Sequence, residues 1–243
     1  MLNPLASRLL IFGLVAAGMT GCSNARTDSA PTSGAEDAEP LRRIAFGSCA
    51  SEDQPQPFWD ALLAHDPDLF LFIGDNVYGD TEDMDTLRAK YAELGAQPGF
   101  QQARATMPVL ATWDDHDYGV NDGGVGYPMK EGSKEVFMDF FDVPEGAPMR
   151  NREGIYHART FGPERRRVQV ILLDTRFFRD PLQERPAGAA RDTLGPYLPA
   201  DDTTRTMLGE AQWARLEEKL QEPADVRLLV SSIQAIPEEH GWE

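Results

Sequence analysis

The chain of 243 residues is long enough for one domain and a leader, and a hydrophobic fraction of 41% provides for a substantial core. With 23 basic against 40 acidic residues and a formal net charge of -17, it lacks the basic face that sequence-independent nucleic-acid binding needs in order to displace counterions. The same acidity leaves phosphate esters open as ligands, because bound metal ions and locally placed arginines reverse the potential inside a pocket.

At the amino terminus Arg8 precedes the apolar stretch Leu9 to Met19, which is short for a membrane span and shaped like an export signal. The stretch ends at Met19-Thr20-Gly21-Cys22. A small residue before a cysteine at that place resembles the lipobox of bacterial lipoproteins, although Met19 stands where leucine is more usual. Residues 1–22 therefore read as a lipoprotein-type signal, with Cys22 lipidated and anchoring the chain to a membrane. An ordinary secretory signal with an incidental cysteine is the alternative, and both imply export, to the periplasm or the cell surface. Residues 23–41, rich in Ser, Ala, Thr, Pro and acids without apolar periodicity, read as a disordered tether.

From Arg42 to Glu243 the pattern changes to short apolar runs alternating with amphipathic segments. The runs Ile44 to Phe46, Leu69 to Ile73, Val109 to Trp113, Val168 to Asp174 and Val226 to Ser231 predict strands. Pro57 to His65, Met84 to Leu94, Ser133 to Phe141 and Gly209 to Gln221 predict helices. In the last, Leu208, Trp213, Leu216 and Leu220 recur near helical spacing. Arg165-Arg166-Arg167 follows Gly162-Pro163 and reads as a solvated hairpin turn. His65 reads as a helix C-terminal cap and His157 as a sheet-face residue. The alternation predicts an α/β fold in layers, with a mixed sheet and no spanning helix after the leader.

The stretch Thr112 to Gly119 crowds Asp114, Asp115 and Asp117 around His116 directly after a predicted strand. Unpaired carboxylates this close would raise one another's pKa and oppose folding, so the cluster predicts a bound cation. A second acidic turn, Gly74 to Asp80, follows the run that ends at Ile73 and brings Asp75 out at a strand end. Cys49, Asp75, Asp114 to Asp117 and Asp174 each follow an apolar run, which predicts their convergence at the carboxyl edge of one sheet. With Cys22 lipidated, Cys49 has no intramolecular partner and reads either as a metal ligand or as a buried inert thiol. Ser48 sits in no Gly-x-Ser-x-Gly elbow, and no Walker loop is present, so acyl transfer and nucleotide-driven phosphoryl transfer lack their hardware.

Four blocks together resemble the alkaline phosphatase D (PhoD-like) metallophosphatases: Gly47-Ser48-Cys49, Gly74-Asp75-Asn76-Val77-Tyr78, Trp113-Asp114-Asp115-His116-Asp117 with Asn121, and Leu173-Asp174-Thr175-Arg176 with Arg179-Asp180. The resemblance runs from Arg42 to the end of the chain. It implies a calcineurin-like sandwich of mixed sheets flanked by helices, and a centre of ferric iron and calcium that hydrolyses phosphate esters. On that model Asp75 bridges two cations, as two-metal hydrolysis requires, while Cys49 and Tyr78 supply a thiolate and a phenolate suited to Fe3+. Asp115 stands where related enzymes carry a bridging asparagine, and Asn121 offers an oxygen to Ca2+. His116 would protonate the leaving oxygen or stabilise phosphoryl charge, the alternative being a satisfied loop histidine bonded to an aspartate. Arg176 and Arg179 would clamp phosphate oxygens or else pair with Asp174 or Asp180. The expected chemistry is attack by metal-activated water, on a monoester, a diester or a phospholipid.

The family completes its metal site with a Gly-Asp-x-His motif on a later strand, and this sequence carries none. His240-Gly241-Trp242 resembles the segment that precedes those ligands. The expectation is a fragment of a longer enzyme lacking its C-terminal strands, against a natural truncation. An exported lipoprotein that binds phosphate or metal without turnover is the second functional class.

Overall fold

The computed structural model describes residues 39–188, 196–199, 202 and 204–235, all within one compact unit that spans Gly34–Glu243. The signal 1–22 with Cys22, the tether up to residue 38 and His240 to Trp242 lie outside the described residues. In chain order the elements are β1 (Ile44–Gly47), α1 (Phe58–Leu63), β2 (Leu69–Ile73), α2 (Met84–Ala96), α3 (Pro98–Thr106), β3 (Val109–Thr112), α4 (Asp115–Tyr118) and α5 (Lys130–Phe140). They continue with β4 (His157–Phe161), β5 (Val168–Leu172), β6 (Gln183–Glu184), β7 (Tyr197–Leu198), α6 (Gly209–Gln221) and β8 (Val226–Val230).

Two three-stranded sheets carry the fold. In the first, β1, β2 and β3 are parallel in that order. In the second, β5 lies between β4, antiparallel, and β8, parallel. The run Leu-Phe-Leu-Phe-Ile of β2 has no polar face because both of its faces are covered. Leu69 and Leu71 point into a cluster with Leu110, Phe161, Val170, Leu172 and Val230, which joins the two sheets into a sandwich. Phe70 and Phe72 point the other way, into an aromatic core with Trp59, Tyr91, Phe100 and Phe137 from the covering helices. The Trp59 ring meets Phe70 edge-on with centroids 5.0 Å apart, and its indole N–H donates to Gln56 Oε1 at 2.7 Å, so the large ring is buried without an unsatisfied donor. Ile171, Leu173, Leu208 and Leu216 pack α6 onto the outer face of the second sheet.

The predicted sandwich of mixed sheets flanked by helices is the observed fold. Convergence at the edge of one sheet is corrected to convergence from two. Helix α3 was not predicted, because Phe100 and Ala103 are its only buried residues and its signals reduce to Pro98 at the first turn. Helix α5 starts earlier than predicted, at Lys130. The α1 cap is Ala64, while the His65 backbone N–H donates to Leu62 O. The Arg165 to Arg167 segment is the turn between antiparallel β4 and β5, as expected, and His157 opens β4. No helix among the described residues is long and apolar enough to cross a membrane.

Because Leu71 belongs to both sheets' shared core, Leu71→Ala should lower stability by about 2–5 kcal/mol. A lower urea midpoint with an unchanged slope would show it. A loss under about 1 kcal/mol would mean that the sheets do not depend on this contact.

Candidate metal centre

The loops leaving the carboxyl ends of β1, β2 and β3 build the centre, and tight turns hold them. Cys49 and Asp75 have φ of 57° and 48°, in the left-handed region that costs a side-chain-bearing residue energy. Their turns are tied together, Cys49 N–H donating to Gly74 O at 3.3 Å and Ala50 N–H to Asp75 O at 3.0 Å. Gly74, at φ 113°, is needed there: a Cβ would stand 2.7 Å from that of Asp114 and 2.8 Å from that of Ser232. After β3, Asp115 and His116 open the single turn of α4.

One ligand atom each from Asp75, Asp115 and His116 lies within 4.8 Å of the others. Cys49 Sγ is 3.7 Å from Asp75 Oδ2, and the Tyr78 ring packs on the His116 ring with centroids 4.5 Å apart. The structure thus brings together Cys49, Asp75, Tyr78, Asp115 and His116, drawn from three separate loops. Asn121 is exposed and its amide donates to Asp122 Oδ2 at 2.8 Å. The backbone N–H of Asp122 in turn donates to Asp115 Oδ2 at 2.7 Å.

Burial, reinforced by Asp114 and Asp115, pushes the Asp75 carboxyl up to about 6. Its Oδ1 is buried with no hydrogen-bond partner among the described residues. Burial also acts on Asp115, but the Arg176 charge and the Asp122 N–H outweigh it and hold this carboxyl below its ordinary value. Burial, then Cys49 and Asp75, raise the Tyr78 hydroxyl, so without a cation it stays a phenol. His116 Nδ1 lies 2.8 Å and 2.9 Å from the two Asp80 oxygens. Against the effect of burial, that bond and the neighbouring Asp115 raise the imidazole pKa and leave Nε2 for an occupant. An unpartnered carboxylate oxygen beside a thiol, a phenol, a second carboxylate and an imidazole is a donor set that suits a cation.

The crowding is relieved partly without metal, which the sequence reading did not foresee. Asp117 accepts from Asp114 N–H at 2.6 Å, Asn76 Nδ2 at 2.6 Å and Asn76 N–H at 3.2 Å, and burial raises it well above the carboxylate range. Asp174 likewise accepts from Trp113 Nε1 at 2.8 Å and from the backbone of Arg176, Phe177 and Ile155. Arg176 is fully buried: its Nε donates to Asp114 Oδ1 at 2.6 Å and its guanidinium reaches Asp115 Oδ1 at 3.6 Å. Its backbone N–H donates to Asp174 Oδ1 at 3.0 Å, while among the described residues its guanidinium meets Asp114 and Asp115. Buried beneath the aspartates, Arg176 holds Asp114 and Asp115. Arg179 bonds the carbonyls of Asp122 and Gly123, fastening the loop after α4. The sequence reading also missed Asp80, although it lies in the same acidic turn as Asp75, and Ser232, whose hydroxyl donates to Asp114 Oδ1 at 2.8 Å.

The raised Asp75 pKa gives a pH signature. A folded value of about 6 lies above the unfolded value of about 4, so in metal-free protein the associated stability is present at low pH and lost as pH rises from about 4 through 6. In Asp75→Asn that loss should disappear, making the metal-free variant at least as stable as wild type at pH 7 by urea unfolding. Added metal should reverse the order, because only the wild type gains from binding. Parallel pH curves for the two proteins would refute this account of Asp75.

A family model described as PhoD-like phosphatase matches residues 44–234. Among solved structures the chain is similar to one titled "Structure of PhoD", with a TM-score of 0.62 and 20% identity. That match covers 80% of this chain and 42% of the other, so this chain spans less than half the length of its structural relative. No curated protein matches the sequence. Since the family model covers most of the domain, including every loop of the metal centre, the chain belongs to the PhoD-like phosphatases.

Proposed function

We propose that the chain carries a phosphoesterase centre, that it binds Fe3+ and Ca2+, and that it acts outside the cytoplasm on a phosphate ester while anchored through a lipidated Cys22. The observation that carries the reading is the group of Asp75, Asp115 and His116 within 4.8 Å beside an unpartnered buried oxygen of Asp75, in a PhoD-like domain. Asp75 with Cys49 and Tyr78 would hold the iron, and Asp115 and Asn121 would offer oxygens to the calcium. When bound, the metals would supply Lewis-acid stabilisation of phosphoryl charge and a more acidic water for monoester or diester hydrolysis.

The side chains have separate tasks. His116 Nε2 donates a proton to the leaving oxygen, while Asp80 on Nδ1 fixes the ring and keeps it protonated. Arg176 holds Asp114 and Asp115 in place, and Asp115 stays ionised because of it. Cys49 and Tyr78 would have to lose their protons to hold a metal, which would couple metal affinity to pH.

Asp75→Ala should lose both bound metal and hydrolysis of chromogenic phosphate mono- and diesters. Unchanged turnover would sink the enzyme reading for this site, and retained metal without turnover in wild type would favour a binding protein. His116→Asn should lower kcat roughly 100-fold or more at saturating metal, with the acidic requirement gone from the alkaline limb of the pH profile.

A further inference from the structure

The end of the sandwich opposite the metal centre carries an open groove of about 320 Å3. It is formed where Pro40 and Arg42, just before β1, meet Arg165, Arg166 and Arg167 of the β4–β5 turn and Asp225 before β8. Four arginines therefore line one groove in a chain whose acids outnumber its bases 40 to 23. Among the described residues none of the four forms a side-chain ion pair within 4.0 Å. Two of the nearby carboxylates are engaged by backbone: Asp225 accepts Arg167 N–H at 2.8 Å, and Asp68 accepts the N–H groups of Arg42 at 2.6 Å and Arg43 at 2.8 Å. Those bonds hold the two carboxylates in place, and Arg42, Arg165 and Arg166 are exposed, open to an external anion. Val226, 51% exposed, adds an apolar residue to the lining.

Position argues for what that anion is. The groove lies at the amino ends of β1, β5 and β8, whereas the metal centre lies at the carboxyl ends of the parallel strands. A five-residue strand such as β5 separates the two levels by about 16 Å. The chain that leads back to Cys22 joins the domain at this groove, and the 18 residues from Cys22 to Pro40 (40 minus 22) span at most about 60 Å.

We propose that the groove is a docking surface for anionic phospholipid headgroups, which holds the metal centre away from the bilayer and directs it to phosphate esters in solution. The source of the headgroups rests on the lipidation of Cys22 proposed above, and the groove itself does not. Near an anionic surface each arginine strengthens binding about fivefold, so three together contribute roughly 100-fold. The negative charge elsewhere on the domain acts weakly, because screening confines such forces to about 8 Å at physiological salt.

The test is cosedimentation of the full chain with phosphatidylcholine vesicles made with or without phosphatidylglycerol. The ratio of the two partition coefficients removes any contribution of the apolar leader. Wild type should prefer the anionic vesicles at low salt and lose the preference at high salt. R165A/R166A/R167A should reduce the ratio roughly 100-fold while circular dichroism and phosphatase activity stay unchanged. A ratio of one in wild type, or one that the variant does not alter, overturns the proposal. So does displacement from vesicles by inorganic phosphate too dilute to change ionic strength, since that would mark a site for a free anion. The mass of the chain recovered from cell membranes reports Cys22 acylation separately, so either reading can fail without the other.

Discussion

Repulsion among carboxylates is the constraint on which this structure depends. Asp75, Asp114, Asp115, Asp117 and Asp174 all follow strand ends, and desolvation opposes the charge on each. The fold meets that constraint by giving the aspartates different partners. Asp117 and Asp174 are wrapped in N–H donors and act as braces for the turns. Asp114 and Asp115 share the buried guanidinium of Arg176. Burial and the neighbouring Asp114 and Asp115 outweigh the help that Asp75 gets from His116, and its buried Oδ1, without a hydrogen-bond partner among the described residues, is where a cation gains most.

That distribution relies on backbone conformations that are costly in isolation. Cys49, Asp75 and Asp80 all have positive φ, each costing on the order of 1–3 kcal/mol unless the surroundings enforce it. The enforcement comes from the sandwich: the parallel register of β1, β2 and β3 aligns the three loops, and hydrogen bonds such as Gly79 N–H to His116 O at 3.1 Å cross between them. The second sheet contributes from its own strand ends, where Ser232 and Thr175 share a hydrogen bond of 2.6 Å and Ser232 reaches Asp114. Arg42 and Arg165 to Arg167 gather at the opposite end of the strands, beside Asp68 and Asp225.

Much of this was legible in the sequence, for physical reasons. The β2 run could be nothing but a doubly covered strand, since five consecutive apolar residues have no polar face to offer water. The acidic turns after β2 and β3 were visible because ligands in α/β proteins gather where strands end. Helix α3 was not, because its few buried residues leave no stripe to detect. Asp80 was passed over because nothing local distinguishes it from the exposed acids nearby. Its role comes from His116, 36 residues away.

The sequence by itself determined the alternation of strands and helices, the strand-end placement of Cys49, Asp75, Tyr78, Asp115 and His116, and the family likeness those blocks carry. Periodicity and short motifs are local properties, and they survive without coordinates. Only the tertiary structure decided which aspartates remain open to a cation and which are already satisfied. It also decided that Arg176 serves the aspartates, and that Arg42 joins Arg165 to Arg167 in one groove. Those outcomes depend on contacts between residues far apart in the chain, Arg176 with Asp114 across 62 positions and Ser232 with Asp114 across 118, and the charge state of a buried group follows from the partners that folding brings to it.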